Sequence, residues 1–436
     1  MDTYTVVKEI DIAPEREGLY FEVPFDMPEG AARLDVRYAY ERRVREETAR
    51  GVKSVEQNII DLALTAPGGG YIGSSGSDRA HIWVSEYDAS PGYARAALTP
   101  GTWGIIVGAY VVAPGGVHVR YELTFTMKER ALYRGDLHMH TTGSDGNLTP
   151  EELAHTAVKN GLDFIFITDH NNYAHNDALP QRPDLTVLPG VEWTHFKGHA
   201  CLLGVRRAFD GPFYTNTGEQ TREKLRAARS KGAIVSINHP FGNSCAWQWG
   251  FDDLAFDCVE LMNGGNSPGG NEACFAWWHE ALVRGRRVNI VGGSDFHCAD
   301  WARMVGVPTT CVYAMSRGAS DLMQAIRAGN CYVALSPHAP TVEMTYGGCI
   351  MGEEAAFDGE TALCARAQGL SRGDVLRLVS AVRTLEIASD GECELALHVA
   401  ARGGDLFWRA EVWRGGQHPA RLPVVVTNPI YQKQPE

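Results

Sequence analysis

Over its first 130 or so residues the chain alternates apolar and polar positions in short runs: "GLYFEVPFDMP", "ARLDVRYAYE" and "GVHVRYELTFTM", parted by Pro/Gly clusters. A two-residue period puts successive side chains on opposite faces, so each run predicts a half-buried β-strand. "ALTPGTWGIIVGAYVV" adds a turn and then a buried apolar strand. These features predict an antiparallel β-sandwich over residues 1–132. From about residue 133 the period changes. "LTPEELAHTAVKNG" is helical, with Thr149 as N-cap, Pro150 at the first helical position and Glu152 completing a capping box. Gly161 ends it, and the β-rich "LDFIFITDH" follows. The alternation recurs in "TREKLRAARSKG" before "AIVSINHP", "CFAWWHEALVRGRR" before "VNIVGGSDFH" and "SDLMQAIRAGN" before "CYVAL". It predicts an α/β segment over 133–337 built on a mainly parallel sheet or barrel. Residues 338–436 return to short alternating strands ("TVEMTYGG", "ELALHVAAR", "LFWRAEVWRGG") and predict a small C-terminal β domain.

A chain of 436 residues is too long for one ordinary core, which agrees with three segments. The net charge of −13 argues against binding a nucleic-acid polymer but leaves room for a small anionic substrate if metal ions make a site locally positive. The acidic start "MDTYTVVKEIDIAPE" lacks an apolar signal core, and no run approaches the roughly 18 apolar residues of a membrane span. A cytoplasmic protein without membrane attachment is expected. Ten cysteines, none in CxxC spacing, read as reduced thiols. Nothing in the sequence fixes the oligomeric state.

The chemistry lies in the histidines. Ten of the 15 fall between His138 and His297. His138, His140, His170, His239 and His297 each end a β-rich run, as do Asp295 and Glu192. In α/β barrels those strand ends converge on one face. Positions i and i+2 share a face, so "HMH" and Asp295-Phe296-His297 can each aim two ligands at one cluster. Of the neighbours Asp169 and His170 only one can point inward, and His170 is the better ligand. Glu192 can meet His199 across a hairpin turning at Lys197-Gly198. Asp136 suits a supporting place behind the ligands, orienting an imidazole through its free N–H, with Asp169 in a similar place. The isolated histidines His155 and His279 read as structural or surface residues. "NGGNSPGGN" lacks a Walker lysine, and Ser294 in "GGSDFH" is outside a GxSxG elbow.

The ordered motifs "DLHMHT", "FITDHN", "PGVEWT…GH", "INHP" and "GGSDFH" resemble the PHP (polymerase and histidinol phosphatase) metal-dependent hydrolases over about residues 133–337. "LMQAIRAGNCYVAL" and "TNPIY" more narrowly resemble the carbaryl-hydrolase-like branch. The resemblance implies a distorted seven-stranded β/α barrel with two or three divalent ions at its mouth, manganese, zinc or iron. Carried over by position, His138, His140, Glu192 and Asp295 hold one ion. Glu192 bridges to a second on His199 and His239, and Asp145, His170 and His297 supply the third. The implied chemistry is attack by a metal-bridging hydroxide, with Glu192, Asp295, His297 and His195 as the catalytic residues. His195, Lys197 and Arg303 are candidates to contact substrate or protonate a leaving group. A small phosphate mono- or diester is the expected substrate. The alternatives are a carbamate, ester or amide at the same centre, or a non-catalytic module whose flanking β segments recognise a carbohydrate or protein partner.

Overall fold

The computed structural model describes residues 2–48, 51–242, 245–265, 269–298, 304–415 and 421–433. The chain divides into two compact units, Met1–Arg130 and Ala131–Glu436. In the first, two four-stranded antiparallel sheets share one core. One has the spatial order Thr3–Ile12, Val117–Met127, Ala31–Tyr40, His81–Ser85; the other Leu19–Met27, Gly101–Val111, Ile59–Ala66, Gly70–Ser75. Alternation sets which face is buried: Val117, Val119, Tyr121, Leu123 and Phe125 point inward while His118 and Arg120 face out. Each such apolar side chain contributes about 1.5–3 kcal/mol, so a one-residue slip that exposes the whole set is strongly disfavoured.

The second unit begins with β1 (Ala131–Asp136), α1 (Pro150–Lys159), β2 (Phe164–Ile167), β3 (Thr186–His195) and β4 (Gly198–Leu203). It continues with α2 (Gly218–Ser230), β5 (Ile234–Ile237), β6 (Cys258–Asn263), α3 (Gly270–Val283), β7 (Asn289–Gly293), β8 (Thr309–Ala314), α4 (Ala319–Ala328) and β9 (Cys331–Ala334). Helix α1 starts as its sequence dictates. Glu152 N–H donates to Thr149 Oγ1 at 3.3 Å, and Thr149 N–H donates back to Glu152 Oε2 at 2.9 Å.

The sheet runs β7-β6-β5-β4-β3-β2-β1-β8-β9. The mainly parallel sheet expected here is mixed. Strand pairs β1–β2, β2–β3, β5–β6 and β6–β7 are parallel, but β4 is antiparallel to both its neighbours, as β8 is to β1 and β9. His195 pairs with Gly198, so only Phe196 and Lys197 connect β3 to β4. Two residues can reverse a strand but cannot span a crossover. The sheet curls until the chain leaving its edge strand β7 meets the chain leaving β1: Met139 bridges Phe296 in parallel, and His140 N–H donates to Phe296 O at 2.9 Å.

The segment expected as a separate C-terminal domain, 338–436, falls in the same compact unit as the barrel strands. Val425–Thr427 adds to the edge of β9 and passes the sheet on to Phe407–Trp413, Val375–Ser380 and Thr384–Ala388. The Asn428 amide of "TNPIY" ties this edge down. It accepts from Ile290 N–H at 2.8 Å and donates to Cys331 O at 3.0 Å.

Candidate metal centre

One end of the curled sheet collects the polar residues. His138 and His140 follow β1, His170 follows β2, His239 follows β5, and Asp295 and His297 follow β7. Glu192 lies near the end of β3. His199 opens β4, and because that strand is reversed its first residues lie at the same end. His239 and Asp295 are non-glycine residues with positive φ, 28° and 52°. Such backbone costs of order 1–3 kcal/mol and persists where the surroundings over-determine it, as at ligand sites. Gly293 permits a close approach: a Cβ there would lie 2.4 Å from the His138 Cβ.

Three groups of side chains converge, each with one ligand atom per residue within 4.8 Å of the others: His138, His140 and Asp295; Glu192, His199 and His239; His140, Asp145, His170 and His297. Together they contain all nine residues carried over from the motifs. His138 Nε2 lies 3.2 Å from Glu192 Oε1 and 3.4 Å from Asp295 Oδ1. His140 Nε2 is 3.2 Å from Asp295 Oδ1, and its ring stacks between His170 and His297 at 4.2 and 4.1 Å. His199 Nδ1 is 3.1 Å from Glu192 Oε1. Asp145 Oδ1 is 3.5 Å from His170 Nε2 and 3.4 Å from His297 Nε2. The Asp145 side chain is 59% exposed, whereas Glu192, His138 and His140 are buried, so the group containing Asp145 is the one open to solvent.

Burial works against charge on Glu192, yet His138, His170 and His199 hold its carboxyl well below the usual range. Asp295 is depressed in the same way, against burial, by His138 and His140. The His138 Nε2, both nitrogens of His140 and the His239 Nδ1 are buried without a hydrogen-bond partner among the described residues. Buried polar atoms are rarely left so. Imidazole nitrogens and ionised carboxylates crowded around a common space, with their lone pairs unspent, fit divalent cations.

Residues 136–237 match the PHP domain. The chain carries a PHP domain. A stretch of 79 residues is 39% identical to the 5′-3′ exoribonuclease Rnm of Salmonella typhimurium, covering 16% of this chain and 27% of that protein. Another of 53 residues is 40% identical to the DNA polymerase/3′-5′ exonuclease PolX of Bacillus subtilis, covering 12% and 9%. The match thus spans about a quarter or less of these relatives. A two-domain Bacteroides vulgatus structure, described as containing a PHP-like metal-dependent phosphoesterase, is 17% identical over 69% of this chain and 96% of its own, with a TM-score of 0.40.

Around the PHP centre the supporting residues differ from expectation. Among the described residues Asp136 bonds no imidazole. Its carboxylate accepts backbone N–H groups from His138 at 3.2 Å, Ser294 at 2.9 Å and Gly306 at 2.7 Å, clamping the ends of β1 and β7 together. Burial pushes its pKa up to about 6. The place foreseen for Asp136 is filled by Glu260 of β6, which the sequence reading missed. Glu260 Oε1 is 3.0 Å from His138 Nδ1, and Oε2 accepts from His239 N–H at 2.9 Å and Asn263 Nδ2 at 2.8 Å. Asn238, also missed, donates to Glu192 Oε1 at 2.8 Å. Asp169 holds the loop after His140, accepting from Thr141 N–H at 2.7 Å and Ser144 Oγ at 2.9 Å. His195 lies outside the three groups. Its Nδ1 accepts Lys197 N–H at 3.0 Å, its Nε2 is 3.2 Å from Thr215 O, and its ring stacks on Trp193. Both nitrogens are engaged with backbone, which leaves none for a leaving group. Lys197 sets its ammonium over the Trp249 ring, 5.0 Å from the centroid. Arg303 lies outside the described residues.

Proposed function

We propose that this chain is a metal-dependent hydrolase acting on a small phosphate mono- or diester. The observation that carries the reading is the convergence of nine potential ligand side chains, among which His138 Nε2, both His140 nitrogens, Glu192 Oε2 and His239 Nδ1 are buried with no hydrogen-bond partner among the described residues. His138, His140, Glu192 and Asp295 would hold one ion, Glu192 with His199 and His239 a second, and Asp145, His170 and His297 a third. Manganese, zinc or iron suits such a mixed donor set. The ions supply positive charge at the bond under attack and lower the pKa of water.

The chain's own residues position that chemistry. Glu260 fixes the His138 ring through Nδ1, Thr194 Oγ1 fixes His170 Nδ1 at 2.6 Å, and Asp136 locks the two strand ends that deliver His138 and Asp295. We read β1–β7 as the seven-stranded barrel, closed by the Met139–Phe296 bridge. Three divalent ions would exceed Asp145, Glu192, Asp295 and Glu260 by about two charges, which favours a phosphate ester over a neutral substrate. The names of the exoribonuclease and of the polymerase/exonuclease point to phosphodiester substrates for those proteins and support the same bond type here. The net charge of −13 opposes a long polyanion and favours a small molecule.

The test compares kcat/KM of manganese-loaded protein on bis(p-nitrophenyl) phosphate and 1-naphthyl N-methylcarbamate. The phosphodiester should win by about a hundredfold, close to 2.7 kcal/mol, and His138→Ala should abolish the rate. A faster carbamate would assign the centre to carbonyl hydrolysis, the chemistry of the carbaryl-hydrolase-like branch. Inertness toward both in fully loaded protein would leave a binding module.

A further inference from the structure

The first unit presents a surface that the metal centre does not use. On the outer face of the sheet containing Leu19–Met27 and Gly101–Val111, three tyrosines stand out where alternation calls for polar residues. Tyr20, Tyr71 and Tyr110 are 73%, 63% and 66% exposed. Across the sheet Tyr20 pairs with Gly108, which pairs in turn with Asp61. A Cβ on Gly108 would lie 2.9 Å from Tyr20 Cε1 and 3.1 Å from Asp61 Cβ, so the bare glycine lets the Tyr20 ring lie down beside the carboxylate.

The result is a groove of about 470 Å³ lined by Tyr20, Tyr71, Ile106, Asp61, Ser74 and Ser75. A second depression of about 240 Å³ shares Tyr20 and Gly108 and is lined also by Tyr110. Neither is lined by Lys or Arg. Among the described residues neither Tyr20 nor Tyr71 bonds through its hydroxyl. Asp61 Oδ1 accepts Ser77 N–H at 2.9 Å, and among the described residues no donor bonds its Oδ2.

We propose that this face binds a neutral oligosaccharide. A sugar ring has an apolar C–H face that packs on an exposed aromatic ring, and hydroxyls that donate to a carboxylate and exchange bonds with serines. The volume of the larger groove and its few convergent polar groups are what a small-ligand site offers. The Asp61 charge and the missing cations exclude phosphates and anionic glycans. Two depressions side by side around Tyr20 suit adjoining sugar units, whereas a lone ammonium group needs one cage. The inference does not depend on the hydrolase reading.

The experiment is affinity electrophoresis of the full chain in gels containing hydroxyethylcellulose, xylan, galactomannan, mixed-linkage β-glucan or soluble starch, with heparin as the anionic counterpart. At least one neutral polysaccharide should retard the protein, and the matching hexasaccharide should bind in calorimetry. Tyr20→Ala and Tyr71→Ala should each weaken that binding about tenfold at unchanged thermal unfolding, since both rings are exposed. Asp61→Asn should weaken it less, keeping an oxygen for Ser77 N–H. His138→Ala should leave it intact. Retardation by none of the neutral polysaccharides, by heparin alone, or equally in both tyrosine variants overturns the proposal. So does displacement of the hexasaccharide by millimolar tetramethylammonium.

Discussion

Among single residues, Glu260 has the largest untested consequence. Its carboxylate holds the His138 ring through Nδ1 while it accepts the His239 N–H, so one side chain positions ligands from two of the three groups. Glu260→Gln keeps the shape but turns one acceptor into a donor facing another donor. Metal affinity, measured by competition with a chromogenic chelator, should fall about ten- to a hundredfold. An unchanged affinity would remove Glu260 from the centre. The convergence of the nine candidate positions was legible because HxH, DxH and strand-end histidines repeat a spacing that strand geometry makes convergent. Glu260 was not. In "FDCVELMNGG" it reads as one polar position in an alternating strand, and its burial follows only from β6 lying between β5 and β7. His195 was misjudged for a related reason, since sequence shows a histidine near ligands but not the backbone groups that occupy its ring. Burial lowers its pKa, so the folded state prefers the neutral ring. That preference stabilises fully above the ordinary value of 6.5 and is lost as pH falls through the depressed folded value. Wild type and His195→Gln should therefore differ in urea-unfolding free energy by a constant amount above pH 6.5 and converge below it. A difference that grows on acidification would reverse the assignment.

Among the elements, the β3–β4 hairpin carries most of the architecture of the second ligand group, since it holds both Glu192 and His199. The hairpin itself was legible from "GVEWTHFKGHACLLG", although the turn consists of Phe196 and Lys197, with Gly198 already paired in β4. What the sequence could not show is why glycine stands there. Gly198 has φ 125°, and a Cβ would lie 2.7 Å from Trp247 Cε3 and 2.8 Å from its Cα. Gly198→Ala meets strain and a steric clash together and should cost about 1–3 kcal/mol. The displacement falls on the next residue, His199. Calorimetry should therefore show a lower unfolding temperature, and metal analysis should show loss of one ion before the others. Loss of stability with full metal occupancy would confine Gly198 to a packing role. Helix α1, by contrast, needed no tertiary knowledge: Thr149, Pro150 and Glu152 announce its start, and the capping bonds are local.

For the molecule as a whole, the decisive fact is that two compact units share one chain while every candidate ligand lies in Ala131–Glu436. The change from two-residue to helical period marked the start of that unit at about residue 133. The joining of 338–436 to it was not legible, because three residues, Val425–Thr427, pairing with Cys331–Ala334 from some 90 positions earlier leave no periodic signature. This division makes metal removal a test with an internal reference. A ligand at a hundred times its Kd stabilises the folded form by about 2.7 kcal/mol, and each occupied site adds its own share. Chelation should therefore lower the unfolding temperature of the second unit by several degrees and leave that of the first unchanged. Eight of the ten tryptophans, Trp193 to Trp413, lie in the second unit, so tryptophan fluorescence follows it while calorimetry registers both. The expected result is a calorimetric trace whose chelator-sensitive transition coincides with the fluorescence transition, restored by manganese or zinc in wild type but not in His138→Ala. Equal shifts of both transitions, or none in protein shown to be stripped, would mean that the buried histidine and carboxylate cluster is satisfied without cations, and the hydrolase reading would fall with it.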